Sequence, residues 1–174
     1  ASPFTIEEPK RESLLIKPAV EGTLRALNAS KNSSKVKKVV LTSSMAAIAY
    51  GHNKDLCTPE DWTDITKNVG AYVKSKTIAE KAAWDFVESH SGIILTTINP
   101  NVILGPLHSG TLGTSLRIIE SIIDSSYPGF PKISFAPVDV RDVAWMHAEA
   151  VENSELDGER LMMASTPISM PQIA

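Results

Sequence analysis

Val36-Lys-Lys-Val-Val-Leu-Thr-Ser-Ser44 is β-branched and apolar over most of its length and closes on small hydroxyl residues. That is the pattern of a strand buried in a parallel sheet. Downstream, Gly92-Ile-Ile-Leu-Thr-Thr-Ile-Asn-Pro100 repeats it and is stopped by proline, and Glu159-Arg-Leu-Met-Met-Ala164 forms a last strand. The spacing predicts that strand 36–42 lies beside strand 93–99. Helical spacing fills the intervals. From Leu14 to Ser30 the apolar residues Leu14, Leu15, Ile16, Val20, Leu24 and Leu27 recur, with Pro18 assigned to the first turn. Residues 70–90 carry Ala71, Ser75, Ile78, Ala79, Ala82 and Phe86 on one narrow face of mostly small side chains. Such a face permits close packing, on the sheet or against the same helix of a second subunit in a homodimer. Leu112–Ser125 is a third helix with Leu116, Ile119, Ile122 and Ile123 inward, and Asp142–Asn153 a fourth. Lys132-Ile-Ser-Phe-Ala136 reads as a short strand, and Ser169 as the cap of a helix begun before the last residue. Strands alternating with helices of this length predict an α/β doubly wound parallel sheet with right-handed crossovers.

Composition bounds the possible partners. A chain of 174 residues, 43% hydrophobic and 21% charged, builds one ordinary globular core. A net charge of -3 provides no basic footprint for nucleic acid or an anionic membrane surface. Cys57 is the single cysteine, which rules out an intrachain disulfide and a cysteine-rich zinc site, and fits a reducing, cytoplasmic setting. No apolar run approaches the roughly 20 residues of a membrane span. The histidines 52, 90, 108 and 147 fall at no ligand spacing, so no metal site is expected. Asp142 is read as a helix cap, and Trp62, Trp84 and Trp145 as core or loop packing.

The chemistry-bearing signal is Ala71-Tyr72-Val73-Lys74-Ser75-Lys76. Tyr72 and Lys76 are four apart on a helix and share a face, whereas Lys74 points away. A neighbouring ammonium favours a phenolate and brings the phenol, whose ordinary pKa is about 10, toward useful acid–base behaviour. Alone, Tyr-x-x-x-Lys is most simply a surface pair. Its setting reverses that reading: the motif lies one loop after a strand ending Thr42-Ser43-Ser44 and just before a strand ending at Pro100. In a doubly wound sheet those strand ends line the ligand-binding edge. Residues 45–68 form the intervening loop, long enough to be functional.

Four ordered segments, Val39-Val-Leu-Thr-Ser-Ser44, Tyr72-Val-Lys-Ser-Lys-Thr-Ile-Ala-Glu80, Asn99-Pro-Asn-Val-Ile-Leu-Gly-Pro106 and Val138-Asp-Val-Arg-Asp-Val143, resemble the extended short-chain dehydrogenase/reductases of the NAD-dependent epimerase/dehydratase family. The likeness is to the dihydroflavonol-reductase-like and aldehyde-reductase-like branch and covers nearly the whole chain. It implies a Rossmann-like NAD(P)-binding sheet, NADP or NAD as cofactor, and a small carbonyl substrate. It also implies a Ser-Tyr-Lys set of Ser44, Tyr72 and Lys76, with Ser43 as the alternative serine. Tyrosine would protonate the carbonyl oxygen, and lysine would also hold the nicotinamide ribose. Thr42, Ser43, Tyr72, Lys76, Pro100, Asn101, Val102 and Ile103 are the implied cofactor contacts.

The sequence departs from the family pattern at its start, where a strand, a Gly-rich turn and a helix bind pyrophosphate in the family. No Gly-x-Gly-x-x-Gly spacing is present, and Gly105–Gly113 reads as a turn and substrate-side loop. The expectation is therefore the C-terminal portion of such a domain over 1–174, with substrate-side segments at about 104–136 and 164–174. Roughly 80 residues of preceding βα units, at 25 to 30 each, belong to the family plan. The implied activity is NAD(P)H-dependent reduction of an aldehyde or ketone by the whole protein, with this stretch inactive alone. A nucleotide-sugar epimerase or dehydratase is the alternative within the fold, and a non-catalytic dinucleotide sensor or scaffold the alternative outside enzymes. Thr97-Ile98 stands where the sugar-nucleotide enzymes usually carry an arginine and an aromatic residue, which favours the reductases.

Overall fold

A computed structural model describes residues 3, 8–107, 110, 112–124 and 134–173. Helix α1 (Ser13–Lys31) leads into β1 (Lys38–Thr42), and a short 3-10 turn (Met45–Ala47) opens the long loop. Helix α2 (Ala71–Glu88) then precedes β2 (Ile94–Pro100). The central sheet has the order β1-β2-β6, all parallel, with β6 at Arg160–Met163. Register sets Lys38 opposite Ile94 and Thr42 opposite Ile98, then Thr97 opposite Arg160 and Pro100 opposite Met163. The two strands expected to be neighbours are neighbours. The chain forms a partial Rossmann-like α/β sheet.

Side-chain alternation along the strands decides what faces what. Val39 and Leu41 of β1 and Leu95 of β2 point to one face, where they meet Leu24 and Leu27 of α1 and Ala83 and Phe86 of α2. Val40 and Ile98 point to the other, against Val143 and Ala150 of α4 (Val140–Glu152) and Met163. Helices thus cover both faces, as a parallel sheet requires. The small-residue face of α2 is buried at Ala71, Ser75, Ala79 and Phe86, while Ala82 is only half-buried. Its cover includes α1 of the same chain, a third possibility beside the sheet and a second subunit.

Local chemistry accounts for several departures from the sequence pattern. Pro18 lies inside α1 and not in its first turn, because the helix already starts at Ser13. The missing N–H leaves the Leu14 carbonyl without its helical donor on a turn where Leu14 is 59% exposed and water can substitute. Helix α4 begins two residues earlier than expected. Asp139, not Asp142, is its cap, accepting from the Arg141 N–H, and the Arg141 guanidinium holds the Asp139 carboxyl down at about 2. In α3 (Thr114–Ile123) Ile122 is buried but Ile123 is exposed, and Trp145 of α4 is exposed where packing was expected.

Two small pairings were not foreseen. Ile103–Leu104 (β3) runs parallel to Val138–Asp139 (β5), and Ser134–Phe135 (β4) runs antiparallel to Ile168–Ser169 (β7). Strands of two residues carry no periodicity to read. The expected strand 132–136 is described only from Ser134 onward. Ser169 does stand just before α5, but its hydroxyl donates to a side chain instead of accepting from a helix N–H, so only the reciprocal half of a cap is formed. There the Gln172 amide oxygen takes the Ser169 N–H and hydroxyl at the start of α5 (Met170–Ile173).

Candidate active site

Ser44 lies two residues past the end of β1 and caps the 3-10 turn with extended backbone, its Oγ accepting from the Ala46 N–H at 3.1 Å. Tyr72 stands in the first turn of α2, with Lys76 one turn on. Helix α2 starts at Gly70, whose φ of 82° suits glycine, and Glu8 places a carboxylate oxygen 2.6 Å from the Ala71 N–H. The Tyr72 phenol is hydrogen-bonded to Ser44. The Lys76 ammonium lies 5.9 Å from the centroid of the Tyr72 ring.

Burial pushes the Tyr72 phenol above its ordinary value, the Ser44 hydrogen bond opposes this, and nearby Tyr50 adds to the rise. Burial pushes Lys76 down, opposed by the Glu80 carboxylate. The phenol is therefore shifted opposite to the direction read from Tyr-x-x-x-Lys spacing. Spacing reveals the ammonium but not the loss of water around the ring, and here the second effect is the larger.

Strand alternation sends the hydroxyls of the β1 terminus in different directions. The Ser43 hydroxyl faces α2 and donates to Glu80 Oε2. The Thr42 hydroxyl faces α4 and lies 2.7 Å from His147 Nε2. Because His147 Nδ1 is 2.7 Å from the Val143 carbonyl, which only accepts, the neutral ring takes the Thr42 proton on Nε2. Thr42, Ser43 and Lys76 together border a cleft of about 440 Å³ between the end of β1, α2 and the small residues Gly22, Thr23 and Ala26 of α1.

Pro100 to Ile103 leave the end of β2 and are tied to other strands. The Asn101 N–H donates to the Met163 carbonyl at 3.0 Å, the Val102 N–H to the Asn101 side chain at 2.9 Å, and Ile103 pairs with Val138. The structure thus gathers Ser44, Tyr72 and Lys76, sets Thr42 and Ser43 beside them with their hydroxyls already engaged, and engages the Asn101 and Val102 N–H groups elsewhere.

Four residues at the site escaped the sequence reading. Glu80, 1% exposed, takes the Ser43 hydroxyl and the Asn99 amide (2.7 Å) on Oε2, and Arg160 Nε (2.6 Å) and Trp84 Nε1 (3.4 Å) on Oε1. Asn99 also donates to the Ser44 carbonyl at 3.1 Å. Arg160 donates to the carbonyls of Pro59 and Asp61 in the loop and lies 3.8 Å from the Trp62 ring centroid. Tyr50 acts on the Tyr72 phenol electrostatically, placed there by a loop that folds on itself. Thr63 Oγ1 donates to the Ala46 carbonyl and accepts from the Tyr50 N–H, while Gly51, at φ 81°, leaves no room for a Cβ against the Asp64 carbonyl. Of these four, Glu80 carried a signal, since it stands four residues past Lys76 and eight past Tyr72 on one helix face.

The two serines should therefore respond differently. Ser43→Ala removes a donor from a buried carboxylate and should lower stability by about 1–3 kcal/mol. Ser44→Ala removes the acceptor that caps the 3-10 turn at a half-buried position and should cost less, about 0.5–1 kcal/mol. Urea denaturation of both variants checks this, and equal stabilities would contradict it.

As a place for a dinucleotide's nicotinamide end, the site has the needed chemistry. The three donors of Lys76 have no hydrogen-bond partner among the described residues, and they face an open cleft beside a phenol. Among those residues no group of three His, Cys, Asp or Glu side chains is placed to hold a metal ion, and no helix is long and apolar enough to cross a membrane.

Comparison with known proteins places this arrangement. The model of the 3-beta hydroxysteroid dehydrogenase/isomerase family matches residues 5–165. A cinnamoyl-CoA reductase of Medicago truncatula is 42% identical over 94% of this chain and 52% of its own. The structure superposes on Gre2 of Candida albicans in complex with NADPH with a TM-score of 0.88 and 36% identity, covering 99% of this chain and 56% of that one. On the yeast methylglyoxal/isovaleraldehyde reductase Gre2 with NADPH the TM-score is 0.87 at 32% identity, covering 98% and 56%. The chain spans about half the length of the relatives it matches.

Proposed function

From the premise that the chain belongs to the 3-beta hydroxysteroid dehydrogenase/isomerase family, we propose that the whole protein is an NADPH-dependent reductase of a small aldehyde or ketone, with Ser44, Tyr72 and Lys76 as its catalytic set. The observation that carries this reading is the Tyr72 phenol hydrogen-bonded to Ser44, with the Lys76 ammonium beside it at the cleft. The cofactor, when bound, supplies the hydride. Ser44 then orients the carbonyl oxygen, and Tyr72 donates its proton to that oxygen as negative charge develops there. Lys76 would hold the ribose hydroxyls and, as a cation beside the ring, stabilise the phenolate left behind. Burial suits the roles: a phenol raised above its ordinary value stays protonated at neutral pH and is a stored acid. Pro100, Asn101, Val102 and Ile103 would border the nicotinamide end through apolar atoms and carbonyls, since the Asn101 and Val102 N–H groups are engaged elsewhere, and a homodimer using residues 70–90 belongs to the same proposal.

NADPH oxidation followed with methylglyoxal and isovaleraldehyde tests the reading, with turnover of at least one expected; turnover of cinnamoyl-CoA alone would make the protein a thioester reductase instead. Conversion of a UDP-sugar without carbonyl reduction would move the protein to the epimerases. Tight NADPH binding with no turnover of any kind would make it a sensor. By calorimetry, the whole protein should bind NADPH and this 174-residue chain should bind it far more weakly, because Lys76 and the Pro100 segment engage only the nicotinamide end. Equal affinities would show that the phosphates sit on this chain.

A further inference from the structure

We infer that Glu80 is a positioning residue for this site, a single buried carboxylate that fixes where Ser44 stands relative to Tyr72 and Lys76 and anchors the 45–69 loop. The inference rests on the reductase reading for its kinetic test. Its geometry is independent of that reading.

Glu80 is buried to 1% exposure in the middle of α2 and gathers four donors from four different places. Oε2 takes the Ser43 hydroxyl from the end of β1 and the Asn99 amide from the end of β2. The same Asn99 nitrogen donates to the Ser44 carbonyl, and the Thr97 hydroxyl donates to the Asn99 oxygen at 2.9 Å, so the amide cannot turn over without losing both bonds. Ser44 is thus held from its carbonyl through Asn99 and from the adjoining Ser43 side chain, with both restraints ending on one carboxylate oxygen. Oε1 takes Arg160, whose guanidinium also binds the Pro59 and Asp61 carbonyls and stacks on Trp62. The loop that carries Tyr50 toward Tyr72 is thereby pinned to the helix that carries Tyr72 and Lys76.

A carboxylate is required because every partner is a donor: hydroxyl, amide, guanidinium and indole. An amide in its place presents two N–H groups to a set in which only the Ser43 hydroxyl can also accept. Its nitrogen must therefore face either Asn99 Nδ2 or the Arg160 and Trp84 donors, none of which can accept. The charge has a second effect one turn away, where Glu80 favours the ammonium form of Lys76 against its burial. A group serving only the core has no reason to affect the site in both ways.

Glu80→Gln in the whole protein, assayed by NADPH-dependent aldehyde reduction, is the test. The expected kcat is on the order of 10- to 100-fold lower, the loss that follows from a misplaced catalytic group. KM for NADPH should change little. The alkaline limb of kcat/KM should move to lower pH, because Lys76 loses the carboxylate that favours its proton. Glu80→Asp keeps the charge and should return the limb toward its original pH even where the rate stays low. A resonance from 13C-labelled tyrosine gives a readout independent of turnover, and the Tyr72 signal should shift in Glu80→Gln. An unmoved limb together with an unmoved Tyr72 signal would overturn the inference, whatever happened to stability. Absence of carbonyl reduction by the wild-type protein would count against the reductase reading alone, and the tyrosine resonance would then decide on Glu80.

Discussion

Tyr72→Phe is expected to lower the rate of aldehyde reduction by about 10³-fold, within the range that a positioned general acid contributes, while NADPH affinity and melting temperature stay close to wild type. The substitution removes one oxygen and keeps the ring. The ring still contributes its packing and still lies beside the Lys76 ammonium, and Ser44 Oγ keeps the Ala46 N–H. What disappears is the proton. Lys76→Met should instead damage rate and affinity together, since it deletes both the ribose donor and the positive charge near the phenol. The pH profile adds a sign. On the proposed mechanism reduction needs Tyr72 protonated and Lys76 charged, so rate should be lost as pH rises. Burial moves Tyr72 above its ordinary 10.0 and Lys76 below its ordinary 10.5, so the lysine's contribution to the alkaline limb lies below 10.5 and the tyrosine's above 10.0. Single-turnover kinetics with calorimetry of NADPH binding separate these effects. Near-normal turnover by Tyr72→Phe would remove the tyrosine from the mechanism, and a limb unchanged by Lys76→Met would remove the lysine from the pH argument.

The parts of the fold and site that were legible in the sequence are those set by local periodicity. The runs around Val39–Leu41 and Leu95–Ile98 announced strands, and their pairing over Lys38–Thr42 and Ile94–Ile98 is parallel as expected. Strand β2 is buried, whereas β1, at the edge of the described sheet, is only half-buried and not buried as its apolar run suggested. Tyr72 and Lys76 share a helix face by spacing alone. What spacing could not supply is the environment. Whether the phenol rises or falls depends on how much water burial removes, and this follows from α1, the loop and the sheet closing around residues remote in the chain. The split between Ser43 and Ser44 is of the same kind. Alternation along β1 sends the Ser43 hydroxyl to the α2 side, but only the structure puts a carboxylate there to receive it. Arg160 reads in sequence as a misfit at the head of an apolar strand. Its partners are Glu80, Pro59, Asp61 and Trp62, between 80 and 101 residues away for the hydrogen-bonded ones, and no local pattern links them. The two-residue strands β3, β4, β5 and β7 exist only through their pairing.

That remote cluster should also dominate stability. Arg160→Met is expected to destabilise the protein by about 3–5 kcal/mol, the loss seen when one partner of a buried ion pair is removed, lowering the melting temperature by roughly 10 °C. The size follows from what is stranded. Arg160 is 10% exposed and Glu80 not at all in their side chains, so the carboxylate left behind has no water to replace the guanidinium, and two loop carbonyls lose their donor as well. Methionine fills much of the space over Trp62, which keeps the change electrostatic rather than a cavity. Adding Glu80→Gln to Arg160→Met should then cost less than the same change in the wild type, since the neutral amide no longer requires a counter-charge. The coupling between the two should be about 1–3 kcal/mol by a double-mutant cycle in urea. Surface pairs provide the contrast. Lys17–Glu21 has side chains 72% and 51% exposed, and Lys17→Met should alter stability by no more than about 0.5 kcal/mol. If Arg160→Met were as mild as Lys17→Met, or if its loss simply added to that of Glu80→Gln, the two charges would not act as one unit. The loop would then be held by Thr63 and its own backbone instead of by the Arg160 tether.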